Sequence, residues 1–126
     1  MILIFGGVYQ GKLAYAMERF GLTQTDVHRC GDDDIAMPEN KRAIYEIDRW
    51  VLALVRAERD VSEAIAELIA QNENAIVICN DISCGVVPID QEMRKWREEV
   101  GRALGTIARS CDEVIRLFCS IPTRVK

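Results

Sequence analysis

Aromatic residues make up only 6% of this 126-residue chain, and histidine occurs once. A lone histidine excludes any metal centre or relay built on a histidine pair. The five cysteines, at 30, 79, 84, 111 and 119, contain no C-x-x-C pair and leave one over in any complete disulfide scheme. They read as free, mostly buried thiols of a reducing compartment. Cys79 and Cys84 lack the second Cys/His pair that a zinc site requires. Positive charge is also in deficit, 16 Lys and Arg against 20 Asp and Glu, for a net charge of −4. This balance argues against a nucleic-acid or anionic-membrane binder driven by general electrostatics, while one local basic patch stays compatible with a phosphate ligand. Small molecules or proteins are the expected partners. Long apolar runs are missing too: the opening stretch Met1 to Phe5 runs into glycines and reads as neither signal peptide nor membrane span, so a cytoplasmic protein is expected. No repeat, low-complexity tract or Pro/Gly/Ser linker divides the sequence. The three prolines, at 38, 88 and 122, are expected at element boundaries. With 49% apolar residues, residues 1–126 are expected to form one domain that needs no disulfide or metal to build its core.

What the chain does contain begins at its start. Ile2-Leu3-Ile4-Phe5 is a short continuous apolar run, the mark of a strand buried on both faces. It leads into Gly6-Gly7-Val8-Tyr9-Gln10-Gly11-Lys12-Leu13, which meets the phosphate-loop pattern G-x-x-x-x-G-K-[ST] except at its last position. Such a loop aims backbone N–H groups at an anion seated on a helix N-terminus, with the lysine beside it. Leu13 stands where a magnesium-binding hydroxyl is usual and offers no lone pair. It reads most simply as packing on the inner face of the first helix.

Gly11 to Phe20 reads as that helix, stopped by Gly21. Asp26 to Cys30 is a weak strand, and the polar stretch from Gly31 through Asp32-Asp33-Asp34 to Asn40 reads as solvated loop. Ala43 to Ile47 is a further strand. Between Arg49 and Gln71, Trp50, Leu54, Val61, Ile65, Leu68 and Ile69 have helical spacing, interrupted at the polar run Arg56 to Asp60, which allows two helices. Ala75 to Cys79 is the clearest strand. Met93, Trp96, Val100, Leu104 and Ile107 mark one face of a helix from Asp90, a candidate N-cap, to Arg109. Glu113 to Cys119 closes as a final strand. Strands separated by helices imply parallel crossovers and a three-layer α/β sandwich with a mostly parallel sheet, in which ligands bind at the carboxyl ends of the strands. Gly6 to Lys12, Asp48 and Asn80-Asp81 would all emerge there.

Three segments carry a resemblance. The opening Met1 to Lys12, the stretch Asn80-Asp81-Ile82-Ser83-Cys84-Gly85-Val86-Val87-Pro88, and the tail Asp112-Glu113-Val114 through Ile121-Pro122-Thr123-Arg124-Val125-Lys126 are similar to the bifunctional adenosylcobinamide kinase / adenosylcobinamide-phosphate guanylyltransferase family, P-loop enzymes of cobalamin nucleotide-loop assembly. Tyr45-Glu46-Ile47-Asp48-Arg49-Trp50 is similar to the strand whose aspartate closes that family's magnesium site. The chain departs from the family at Leu13, at Leu104-Gly105 where Asn-Gln is usual, and in having no His-Arg-x-x-Arg-Pro segment, whose histidine carries the guanylyl group. Its own histidine, His28, precedes Arg29 but falls too early, in the second strand, and reads as a packed or surface residue.

The resemblance implies a P-loop NTPase-like fold with Gly6, Gly7, Gly11 and Lys12 holding ATP or GTP with Mg2+. Lys12, Asp48 and Asp81 would serve catalysis, with Asp48 at the metal, and Asn80 and Gly85 would lie beside the cobinamide substrate. A homo-oligomer is implied as well. Read without the resemblance, Asp48 is a helix N-cap before Trp50 and Asp81 caps a turn. Two functions therefore stand in the sequence: phosphoryl or nucleotidyl transfer to cobinamide at a degenerate phosphate loop, and noncatalytic nucleotide or phosphate binding in a regulatory or assembly role.

Overall fold

A computed structural model describes residues 1–82 and 90–126. The first apolar run forms β1 (Ile2–Gly6), followed by α1 (Lys12–Phe20), a 3₁₀ turn at Gln24–Asp26 and β2 (Val27–Arg29). Then come β3 (Ala43–Tyr45), α2 (Ile47–Arg56), α3 (Val61–Gln71), β4 (Ile76–Asn80), α4 (Gln91–Ser110), β5 (Glu113–Phe118) and β6 (Ile121–Arg124). The six strands form one sheet in the order β2-β3-β4-β1-β5-β6, with β6 alone antiparallel, to β5.

Two apolar layers sandwich this sheet. On one face Ala16 and Leu22, from α1 and the turn after it, pack against Ile4, Ala43, Ile76, Ile78, Ile115 and Leu117. On the other, Trp50, Leu54, Ile65, Leu68, Val100 and Ile107 from α2, α3 and α4 cover Leu3, Ile44, Val77 and Val114. The central strands β1 and β4 contribute side chains to both layers, which explains their unbroken apolar runs. The expected α/β sandwich is therefore the fold, and the polar run before Val61 does separate two helices.

Three expectations need correction. Ile47 begins α2 instead of ending β3, because Glu46 takes the left-handed conformation (φ 60°) and turns strand into helix without a loop. Glu113–Phe118 is not the last strand, since the tail adds β6. Pro122 accordingly lies inside an edge strand, not at a boundary, while Pro88 falls outside the described residues. A two-residue turn, Cys119 and Ser120 at φ 50° and 61°, joins β5 to β6, the left-handed pair that a tight hairpin requires. In such a hairpin the closing pair Phe118 and Ile121 bond to each other, so the nitrogen of Pro122 faces the free edge, where its missing N–H withholds a donor.

Candidate functional site

The carboxyl ends of β1, β3 and β4 open on a cleft of about 430 Å³ lined by Val8 to Ala14, Arg29, Tyr45, Glu46, Asp48, Arg49, Asn80, Ile82 and Trp96. The glycine loop forms one wall. A side chain at Gly6 would collide with the Leu117 carbonyl oxygen, so β1 can lie against β5 only with glycine there. Gly11 is left-handed at φ 81°, and a Cβ on it would lie 2.9 Å from Ser120 Oγ. Gly7 has room for a side chain and contributes its carbonyl, which accepts a 2.6 Å hydrogen bond from Lys12 Nζ. On the hairpin side, the Cys119 N–H donates to the Gln10 side-chain oxygen and ties the β5–β6 turn to the loop.

Helix α1 starts immediately after Gly11. Its first intrahelical bond runs from Tyr15 N to Gly11 O at 3.0 Å, which leaves the N–H groups of Lys12, Leu13 and Ala14 without helical acceptors at the cleft. Together with the helix dipole these donors make a seat for an anion. Lys12 is only 4% exposed, and burial pushes its amine below the ordinary lysine range against the opposing pull of Asp48. An anionic ligand would offset that cost of desolvation. Leu13 is half-buried against the α1 layer and also forms part of the cleft wall.

Asp48 is the second residue of α2 and 2% exposed. Its N-cap reading is corrected: Glu46 holds that position, and the Asp48 carboxylate instead crosses to β4. There its Oδ1 accepts from Asn80 N at 3.1 Å and its Oδ2 from Asn80 Nδ2 at 3.3 Å. Burial raises the Asp48 carboxyl above the usual range, and the two bonds from Asn80 act against the rise. Trp96 of α4 donates Nε1–H to the Asp48 backbone carbonyl at 2.8 Å. At the rim, Arg29 pairs with Glu46 at 3.2 Å and lies over the Tyr45 ring at 5.3 Å, while Arg49 reaches Asp32 at 3.3 Å.

Gly11, Lys12, Asp48 and Asn80 thus meet around one cleft, and Gly7 is tied to it through the bond from Lys12. The amide of Asn80 is turned to Asp48. Asp81 joins through its backbone, its N–H donating to Gly6 O at 2.8 Å. Gly85 lies outside the described residues, as does Cys84. His28 lies on β2 opposite Ile44, whose side chain belongs to the α2–α4 layer, whereas its neighbour Arg29 lines the cleft. Sequence reasoning missed Glu46 and Trp96. Nothing local announces a left-handed glutamate, and Trp96 sat in the apolar stripe of α4, where its N–H gave no separate signal.

Magnesium bound with a nucleotide takes its oxygens chiefly from phosphate and water, with one or two from protein. Leu13 supplies none, and each Asp48 oxygen already accepts a bond from Asn80. The donor set fits a metal held by phosphate and water and steadied through water by the remaining lone pairs of Asp48. It does not fit an ion ligated by the loop itself. Among the described residues no group of three or more His, Cys, Asp or Glu side chains could hold a metal without a ligand's help.

Comparison with curated proteins yields no match. The family profile described as cobinamide kinase / cobinamide phosphate guanyltransferase matches residues 37–125. That span begins after the glycine loop and takes in α2, β4, α4 and the β5–β6 hairpin, and with them Asp48, Asn80 and Trp96. With well over half of its length matched, the chain belongs to the cobinamide kinase / cobinamide phosphate guanyltransferase family of cobalamin biosynthesis.

Proposed function

We propose that this cleft binds the triphosphate of ATP or GTP on the Gly6 to Lys12 loop and that the chain transfers phosphate to cobinamide slowly, its metal steadied only through Asp48. The observation that carries this reading is the buried Lys12 ammonium set among the free N–H groups of α1 and beside Asp48. Lys12 would exchange Gly7 O for phosphate oxygens and neutralise their charge, and the α1 N–H groups would orient them. Asp48, gripped by Asn80, would hold ordered water on the metal that comes with the nucleotide and supplies charge neutralisation at the phosphates. Positioning and electrostatics carry most of the catalysis of phosphoryl transfer, so the missing hydroxyl at Leu13 slows the reaction. Asp81 would shape the floor of the cleft through its contact with Gly6. Transfer of a guanylyl group through histidine has no support, because the sequence has no His-Arg-x-x-Arg-Pro segment and His28 is not among the residues that line the cleft.

Leu13 also favours a second reading, a noncatalytic nucleotide- or phosphate-binding homologue that works in regulation or assembly. Calorimetric titration with ATP, GTP and cobinamide, followed by an assay for labelled phosphate on cobinamide, separates the two. Binding with slow transfer supports the first reading, and binding with no transfer supports the second. Lys12→Ala is expected to weaken nucleotide binding about 100-fold, through loss of a charge-assisted contact in a desolvated site. Unchanged affinity would remove the loop from the site. A cytoplasmic homo-oligomer belongs to the same proposal. The buried thiols Cys30, Cys79 and Cys111 support a reducing compartment, and sedimentation would give the oligomeric state. No helix among the described residues is long and apolar enough to cross a membrane.

A further inference from the structure

Asp48 is held at both ends of its residue. Its carboxylate is fixed by Asn80 at the end of β4, and its backbone carbonyl accepts the Trp96 indole N–H from α4 at 2.8 Å. The second bond is unusual in kind. A carbonyl in the first turn of a helix already has a helical acceptor role, so an indole donor on it fixes the turn's orientation without satisfying any orphan group. Glu46, at the N-cap of α2, is left-handed and provides no side-chain cap, so the first turn of α2 lacks the anchor that Asp60 gives α3 and Asp90 gives α4. The Trp96 ring also forms part of the cleft wall, so one side chain touches both the cavity and the backbone of Asp48.

We infer that Trp96 is a positioning residue: its indole N–H anchors the first turn of α2, which has no side-chain cap, and so fixes the Asp48 carboxylate relative to the phosphate loop. This rests on the nucleotide-binding reading for its functional consequence, and on geometry alone for its structural one. The role belongs to the N–H, not to the ring, which separates it from ordinary packing.

Trp96→Phe keeps an aromatic wall and removes the donor. Calorimetry with GTP and magnesium is expected to show about a tenfold loss of affinity for this variant when Asp48 is present, the scale of one hydrogen bond. In an Asp48→Asn background the same change should alter affinity by less than about twofold, because a displaced turn no longer carries the carboxylate that matters. Equal losses in both backgrounds, or no loss in either, would overturn the inference. Hydrogen exchange supplies a readout free of nucleotide: amides at the start of α2 should exchange at least about tenfold faster in Trp96→Phe, with α3 unchanged. Unaltered exchange at α2 would also overturn it. If the unmodified chain binds no GTP, the nucleotide reading falls by itself, and the exchange comparison still decides whether Trp96 sets the turn.

Discussion

Lys12 and Asp48 are charges that the fold keeps from water in opposite senses, burial lowering the amine and raising the carboxyl. A carboxyl whose pKa is higher in the folded state favours folding when protonated, and that advantage is lost as pH rises from the unfolded value through the folded one. At neutral pH the buried Asp48 charge therefore costs stability, and Asp48→Asn, with the Asn80 amide turned to match, should raise the unfolding free energy. The gain should vanish on acidification below the ordinary carboxylate range, as thermal melts across pH would show. A group kept at such a cost is expected at a working site. The cysteines differ just as clearly. Burial, with Asp48 and Glu46 nearby, pushes the Cys30 thiol up to about 12, so at pH 8 about one molecule in ten thousand carries its thiolate. Cys119 is exposed. Among the described cysteines iodoacetamide should label Cys119 first and leave Cys30 unmodified in the native protein, which peptide mass mapping would detect. At this scale the phosphate loop was legible, since its pattern is contiguous. The grip on Asp48 was not, because Asn80 lies 32 residues away and only the fold brings the two together.

The elements were legible in proportion to how they bury themselves. β1 and β4 announced themselves through unbroken apolar runs, and Asp90 marked the start of α4, where its Oδ1 accepts from Glu92 N at 2.8 Å and Met93 N at 3.2 Å. Asp90→Ala should cost about 1 kcal/mol in denaturant unfolding, the usual worth of such a cap. β6 escaped notice because every one of its residues is exposed, so no apolar alternation marks it, and a proline sits in its middle. The end of β3 was misjudged for a different reason: apolar Ile47 continues the strand's composition while the backbone has already turned at Glu46. The hairpin that follows β5 is coupled to the loop through Gly11 and Ser120. Gly11→Ala should destabilise by about 2 kcal/mol, from a left-handed φ and a 2.9 Å contact with Ser120 Oγ. Adding Ser120→Gly should recover part of that loss, and a double-mutant cycle would measure how much.

For the molecule as a whole, the parallel arrangement of β1 to β5 gathers the loop, Asp48 and Asn80 at one edge of the sheet, which is why a topology inferred from alternating helices and strands placed these residues together. The same sheet has to end somewhere, and on the β6 side it ends with exposed Phe118, Ile121 and Val125 beside the outward nitrogen of Pro122. An apolar margin of this kind is a template on which other chains can crystallise strand by strand. Proline breaks the template at its first outward rung. Pro122→Thr should leave the fold intact yet restore that rung, and concentrated solutions should then scatter light and bind thioflavin sooner than the unmodified protein. Equal lag times would show that the ring is dispensable there. Pro122 would thus govern a property that no single folded molecule displays: the concentration at which a population of them stays in solution.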